Sequence, residues 1–201
     1  MTTISRMFDD FPSARSALDA LVAAGIPDKD ISLVANNGDN YFNDKSQILD
    51  TDNDGVDDKA EGAGTGASLG AVAGGAAGLL TGLGIMAIPG VGPVVAAGWL
   101  ASTALGALAG GAAGSLIGAL VESGVSEEDA HVYAEGLRRG GVLLTVRAPQ
   151  GSAARIEEVL DQWAVDTRGR AEDYRRAGWK GFDDASPYTA DQIRSARERR
   201  L

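Results

Sequence analysis

Ile88-Pro89-Gly90-Val91-Gly92-Pro93 lies inside a stretch of 60 residues, 62–121, that contains no Asp, Glu, Lys or Arg. Two prolines and two glycines in six positions break a chain's regular structure, so the fold depends on what flanks them. On one side Gly62, Gly66, Gly70, Gly74, Gly78 and Gly82 recur every four residues, and on the other Gly98, Ser102, Gly106, Gly110, Gly114 and Gly118 repeat the spacing with one serine. Residues four apart share a helix face. The pattern predicts two α-helices of roughly 25 residues, each nearly 40 Å long at about 1.5 Å per residue, joined by a tight turn at 88–93. Missing side chains at that spacing would form a groove that lets another backbone approach closely, the packing of a glycine zipper.

Each interior glycine costs about 0.5–1 kcal/mol relative to Ala in a solvated helix, so such a hairpin needs burial in lipid, in its partner helix or in an oligomer. Its length suits a bilayer core of about 30 Å. The first helix, however, has only seven large apolar residues, Leu69, Val72, Leu79, Leu80, Leu83, Ile85 and Met86, which makes insertion on its own marginal. Two readings follow: a membrane-inserted hairpin that oligomerises, or a soluble homo-oligomer or filament that buries the stripes between copies.

The flanking segments are polar. Residues 1–61 hold 13 acids and 5 bases, and residues 122–201 hold 15 acids and 13 bases. The first reads as strand 2–8, a helix capped by Asp10 or Ser13 and closed by Gly25, then strand 30–35. The other reads as a helix opened by Ser126 with Asp129 in a capping-box-like pair, strand 141–147, helix 153–163 and a last short strand at 165–168. With the glycine-rich segment set aside, the expected class is α+β, a ferredoxin-like split β–α–β domain. The domain plan is then 1–61 and 122–168 as its two halves, 62–121 as the inserted hairpin and 169–201 as a tail whose Trp179, Phe182, Pro187 and Tyr188 dock on a neighbour.

Composition excludes several functions. A formal charge of −10 argues against nucleic-acid binding, the absence of cysteine removes disulfides and thiolate chemistry, and one histidine leaves histidine triads and zinc sites short of ligands. No glycine-rich run ends in Gly-Lys-Ser/Thr or follows a strand as GxGxxG, so no phosphate loop is expected, and no small-molecule substrate is indicated. His131, Glu157-Glu158 and Asp183-Asp184 read as solvated surface. The expectation is therefore a protein that is not an enzyme. Met1 to Phe8 lacks a signal-peptide pattern, which places the polar parts in the cytoplasm, at the cytoplasmic face of the membrane if the hairpin inserts, with Arg138-Arg139 beside anionic headgroups.

One loop has metal-ligand spacing. Asp50-Thr51-Asp52-Asn53-Asp54-Gly55-Val56-Asp57-Asp58-Lys59-Ala60-Glu61 places Asp50, Asp52, Asp54, Asp58 and Glu61 at positions 1, 3, 5, 9 and 12 of an EF-hand loop, with Gly55 at 6 and the Val56 carbonyl at 7. Calcium needs that many oxygens. Asp57 occupies the usual apolar position 8 and no amphipathic helix precedes Asp50, so an acidic solvated linker is the alternative, and a calcium-responsive switch a further functional reading.

The glycine-rich segment with its turn, then Ser123-Gly124-Val125-Ser126-Glu127-Glu128-Asp129-Ala130 and Tyr133-Ala134-Glu135-Gly136-Leu137-Arg138-Arg139-Gly140-Gly141-Val142-Leu143-Leu144-Thr145-Val146, resembles the bacterial general stress protein 17M-like (YflT) domain family over about residues 2–148. The resemblance implies stress-induced expression and a small α+β domain interrupted by a glycine-rich segment. It brings no catalytic residues.

Overall fold

The computed structural model describes residues 2–42, 83–100, 116–184 and 186–199. They form an α+β unit with a five-stranded antiparallel sheet and, among the described residues, six α-helices. The strands are β1 (Thr2–Phe8), β2 (Ile31–Asn36), β3 (Gly84–Ile88), β4 (Gly92–Gly98) and β5 (Val142–Ala148). The helices are α1 (Phe11–Ala23), α2 (Leu116–Glu122), α3 (Glu127–Arg138), α4 (Ala153–Leu160), α5 (Thr167–Arg176) and α6 (Ala190–Glu198). The sheet order is β1-β5-β2-β4-β3. β5 pairs antiparallel with both β1 and β2, so these two run parallel on either side of it, with α1 as their crossover.

Alternation along the strands sorts side chains to two cores. Ile4 and Phe8, Leu33, and Leu144 and Val146 face α1 and α4. Met7, Val34 and Leu143 face α2 and α3. The helix ends follow the sequence: Asp10 accepts the Ser13 N–H at 2.7 Å, and Ser126 accepts the Asp129 N–H at 3.1 Å. The Asp129 carboxylate takes a hydrogen bond from the Ser126 hydroxyl at 2.7 Å, so the expected pair forms between the side chains.

Three expectations need correction. Residues 84–88 and 92–98 are strands where the glycine spacing predicts helices, and the 88–93 breaker turns a β-hairpin instead of a helical one. The physical reason lies in burial: Val94, Val95, Ala96 and Ala97 are all buried, because β4 is covered on both faces. Such a strand is a continuous apolar run, and periodicity cannot separate it from a buried helix. Second, the last strand at 165–168 is reduced to one backbone bond, Val165 N–H to the Met7 carbonyl at 2.8 Å. Asp166 ends it by capping α5, accepting from the N–H groups of Arg168 and Gly169. Third, helix 153–163 stops at Leu160.

The turn itself sits in the core. Val91 is fully buried, Ile88 nearly so, and both pack in the cluster of α2 and α3. A hairpin that carries this turn across a bilayer is not the arrangement observed. Among the described residues no helix is long and apolar enough to cross a membrane.

Candidate functional site

The hairpin β3–β4 is sewn to β2 by side chains as well as by the ladder. Asn36 Nδ2 donates to the Val91 carbonyl at 3.3 Å, Asn37 N–H donates to the Pro93 carbonyl at 2.8 Å, and Ser32 Oγ donates to the Ala97 carbonyl at 2.8 Å. These polar groups are buried and each finds a backbone partner, as burial requires. Gly90, in the turn at φ +73°, lies against the 182–184 segment: a Cβ there would stand 2.8 Å from the Phe182 ring and would strike the Asp184 backbone. The turn is therefore enclosed between the sheet and the C-terminal segment.

That segment is held by an arginine cluster on α3. Glu135 is fully buried and accepts from Arg138 at 2.5 Å and from Arg139 at 2.6 Å. Arg138 in turn lies 4.9 Å from the Tyr188 ring centre and 5.4 Å from that of Phe182, and donates to the carbonyls of Asp183 and Ser186. Arg139 stacks 4.4 Å from Tyr174 on α5. Sequence reading placed these arginines at lipid headgroups; the structure turns them inward, because a buried carboxylate one helical turn earlier and three aromatic rings compete for them. The signal was present as Glu135 at i−3 and i−4 from two arginines. Beyond them, Arg197 of α6 donates to the carbonyls of Gly140 at 3.1 Å and Asn36 at 2.8 Å and pairs with Asp39 at 3.2 Å. The tail aromatics thus dock within the chain.

Two cavities are lined by described residues. One of about 530 Å³ opens at the carboxyl ends of β1 and β2, lined by Phe11, Pro12, Tyr41, Phe42 and Val142 with Asp9 and Arg197 at its rim. Its polar groups are engaged: Asp9 holds Arg170 at 2.7 Å, and Asp10 caps α1. The other, about 460 Å³, is a surface hollow beside His131, Arg175 and Trp179. His131 Nδ1 accepts the Phe182 N–H at 3.2 Å, so the lone histidine positions the C-terminal segment.

Tyr133 and Arg6 are shifted from their ordinary values. Burial pushes the Tyr133 phenol up. Its hydroxyl donates to the Ser5 carbonyl at 2.8 Å, beneath a buried Ser5–Thr145 hydroxyl pair at 3.1 Å. Burial pulls the Arg6 guanidinium down, but its hydrogen bond to Asp161 and the charge of that carboxylate outweigh it and raise the value. Arg6 thereby ties β1 to α4.

Of the residues singled out in sequence, Asp50, Asp52, Asp54, Val56, Asp58 and Glu61 lie outside the described residues, as do Gly62, Gly66, Gly70, Gly74, Gly78, Gly82, Ser102, Gly106, Gly110 and Gly114. Gly118 lies in α2. Gly98 ends β4 and serves a sheet contact, not a helix groove, since a Cβ on it would strike the Ile31 carbonyl and stand 2.8 Å from the Ser32 Cα. Among the described residues no three His, Asp or Glu side chains converge as a metal-binding group. Comparison with protein-family models, with curated proteins and with solved structures gives no match.

Proposed function

We propose that the protein acts by self-association: a non-enzymatic structural protein of the bacterial general stress response whose α+β domain presents an uncharged, glycine-rich segment for assembly between copies. The fold supports a ferredoxin-like split β–α–β reading, since β1, α1 and β2 enclose β5 in the order that plan requires. One observation carries the functional reading. The uncharged segment returns to the domain as a β-hairpin whose outer strand is, among the described residues, the last of the sheet, with Ile85 57% exposed on it. An apolar residue on an uncharged sheet edge favours contact with another protein surface.

The same hairpin moves weight from the membrane-inserted arrangement to a soluble assembly, because its turn is packed on the domain. Light scattering coupled to size exclusion, on the full chain without detergent, tests this. A multimer whose mass grows with concentration is expected. A monomer at every concentration overturns the proposal, and a multimer that forms only with detergent or lipid vesicles overturns it in favour of membrane association.

A further inference from the structure

The two edges of the sheet are treated differently. The free side of β1 is capped, since Val165 donates its N–H to the Met7 carbonyl at 2.8 Å. Beyond β3, no strand lies among the described residues. Natural sheets protect such an edge with a lysine, a bulge or a proline inside the strand. Gly84-Ile85-Met86-Ala87-Ile88 has none of these.

The direction of its backbone groups follows from one hydrogen bond. The Pro93 carbonyl accepts from Asn37 and so points toward β2. Pro93 and Ala87 are opposite each other, which makes them a non-hydrogen-bonded pair, and Val95 with Ile85, two residues on, is another. Ile85 and Ala87 therefore turn their N–H and C=O groups away from β4, to the open edge. Two donors and two acceptors stand there in an uncharged strand.

We infer that β3 pairs antiparallel with β3 of a second copy, about a two-fold axis through Met86, joining two five-stranded sheets into one of ten strands. The register is self-complementary: Ile85 of one copy faces Ala87 of the other, each such pair exchanges two hydrogen bonds, and Met86 faces Met86 in the non-hydrogen-bonded pair between them. Leu83 would face Pro89, which has no N–H to give, so the pairing ends where β3 ends. Charge selects the same place. Copies of formal charge −10 repel one another, and residues 62–121, to which the edge belongs, contribute nothing to that repulsion.

The inference rests on the self-association reading, and the test separates the two. Because the chain has no cysteine, Met86→Cys introduces a single thiol. In the register given, the two Cα atoms lie about 4.5 Å apart, within disulfide reach. Gly84→Cys is the control, since its two copies would be about 13 Å apart at four residues' separation. Mild oxidation is expected to give a covalent dimer with Met86→Cys and not with Gly84→Cys. Ala87→Pro, which removes an outward N–H and no bond within the sheet, is expected to halve the native mass with an unchanged circular dichroism spectrum. A wild-type chain that is monomeric throughout overturns both readings. A wild-type multimer in which Met86→Cys fails to cross-link, or cross-links no faster than Gly84→Cys, overturns the edge pairing and leaves self-association standing.

Discussion

Gly98 shows how one residue can be read correctly as a close-contact glycine and wrongly as to its contact. Its spacing from Ser102 and Gly106 fits a helix face, yet its φ is +88° and the surface it approaches is the β2 backbone at Ile31 and Ser32. Gly98→Ala is expected to destabilise the domain by about 1–3 kcal/mol, since the alanine meets both an unfavourable φ and a backbone that cannot move aside. Urea denaturation measures it, and a loss under a few tenths of a kcal/mol would contradict the strand assignment. Tyr133 gives a pH signature. Its phenol is raised by burial above the ordinary value of 10.0, so the fold favours the neutral form. That contribution is complete below about pH 10 and fades as pH rises through the folded value, because the unfolded chain ionises first. Stability should therefore fall above about pH 10, more steeply than in Tyr133→Phe, which itself loses about 0.5–1.5 kcal/mol at neutral pH with the bond to Ser5. Parallel slopes for the two proteins would show that Tyr133 is not the group responsible.

At the scale of elements, legibility followed how each element meets water. β1 mixes Thr2, Thr3, Ser5 and Arg6 with Ile4, Met7 and Phe8 and stops at the Asp9-Asp10 pair, and α1 and α3 carry an Asp10 and a Ser126 cap, so their type and limits were open to reading. β4 was not, for it is buried on both faces and carries no alternation. The docking of α5 was also hidden, because Glu135, Arg138 and Arg139 look like a charged surface until the aromatic rings that cover them are placed by the fold. This cluster fixes the C-terminal segment to α3. Glu135→Gln leaves two half-buried guanidinium groups without their carboxylate, a loss expected to reach about 3–5 kcal/mol. Limited proteolysis should then cut within 177–189 before the rest of the domain, as the rings of Phe182 and Tyr188 lose their oriented cations. Cleavage at wild-type rate would mean that the bonds of Arg197 to Gly140 and Asn36 and the burial of Ile193 hold the segment without the cluster.

The whole molecule joins two surfaces of opposite kind. Its charge is unevenly spread: the first 61 residues hold 13 acids against 5 bases, the last 80 are nearly balanced, and the 60 uncharged residues between them supply β3 and β4 at one side of the sheet. An assembly made through that uncharged part brings two bodies of formal charge −10 together without an ion pair across the contact to offset their repulsion. The salt dependence follows. Raising a chloride salt from about 0.01 M to about 1 M shortens the screening length from about 30 Å to about 3 Å, which removes the repulsion between the bodies and leaves the backbone and apolar contacts at the edge almost untouched. Association measured by sedimentation should therefore tighten with salt, whereas an interface built from Arg–carboxylate pairs weakens under the same change. Ala87→Pro should abolish this response together with the multimer itself. If association weakens with salt, the copies meet through charged surface, and the cationic side chains of α5 and α6, Arg175, Arg176 and Arg194, become the place to look for the contact.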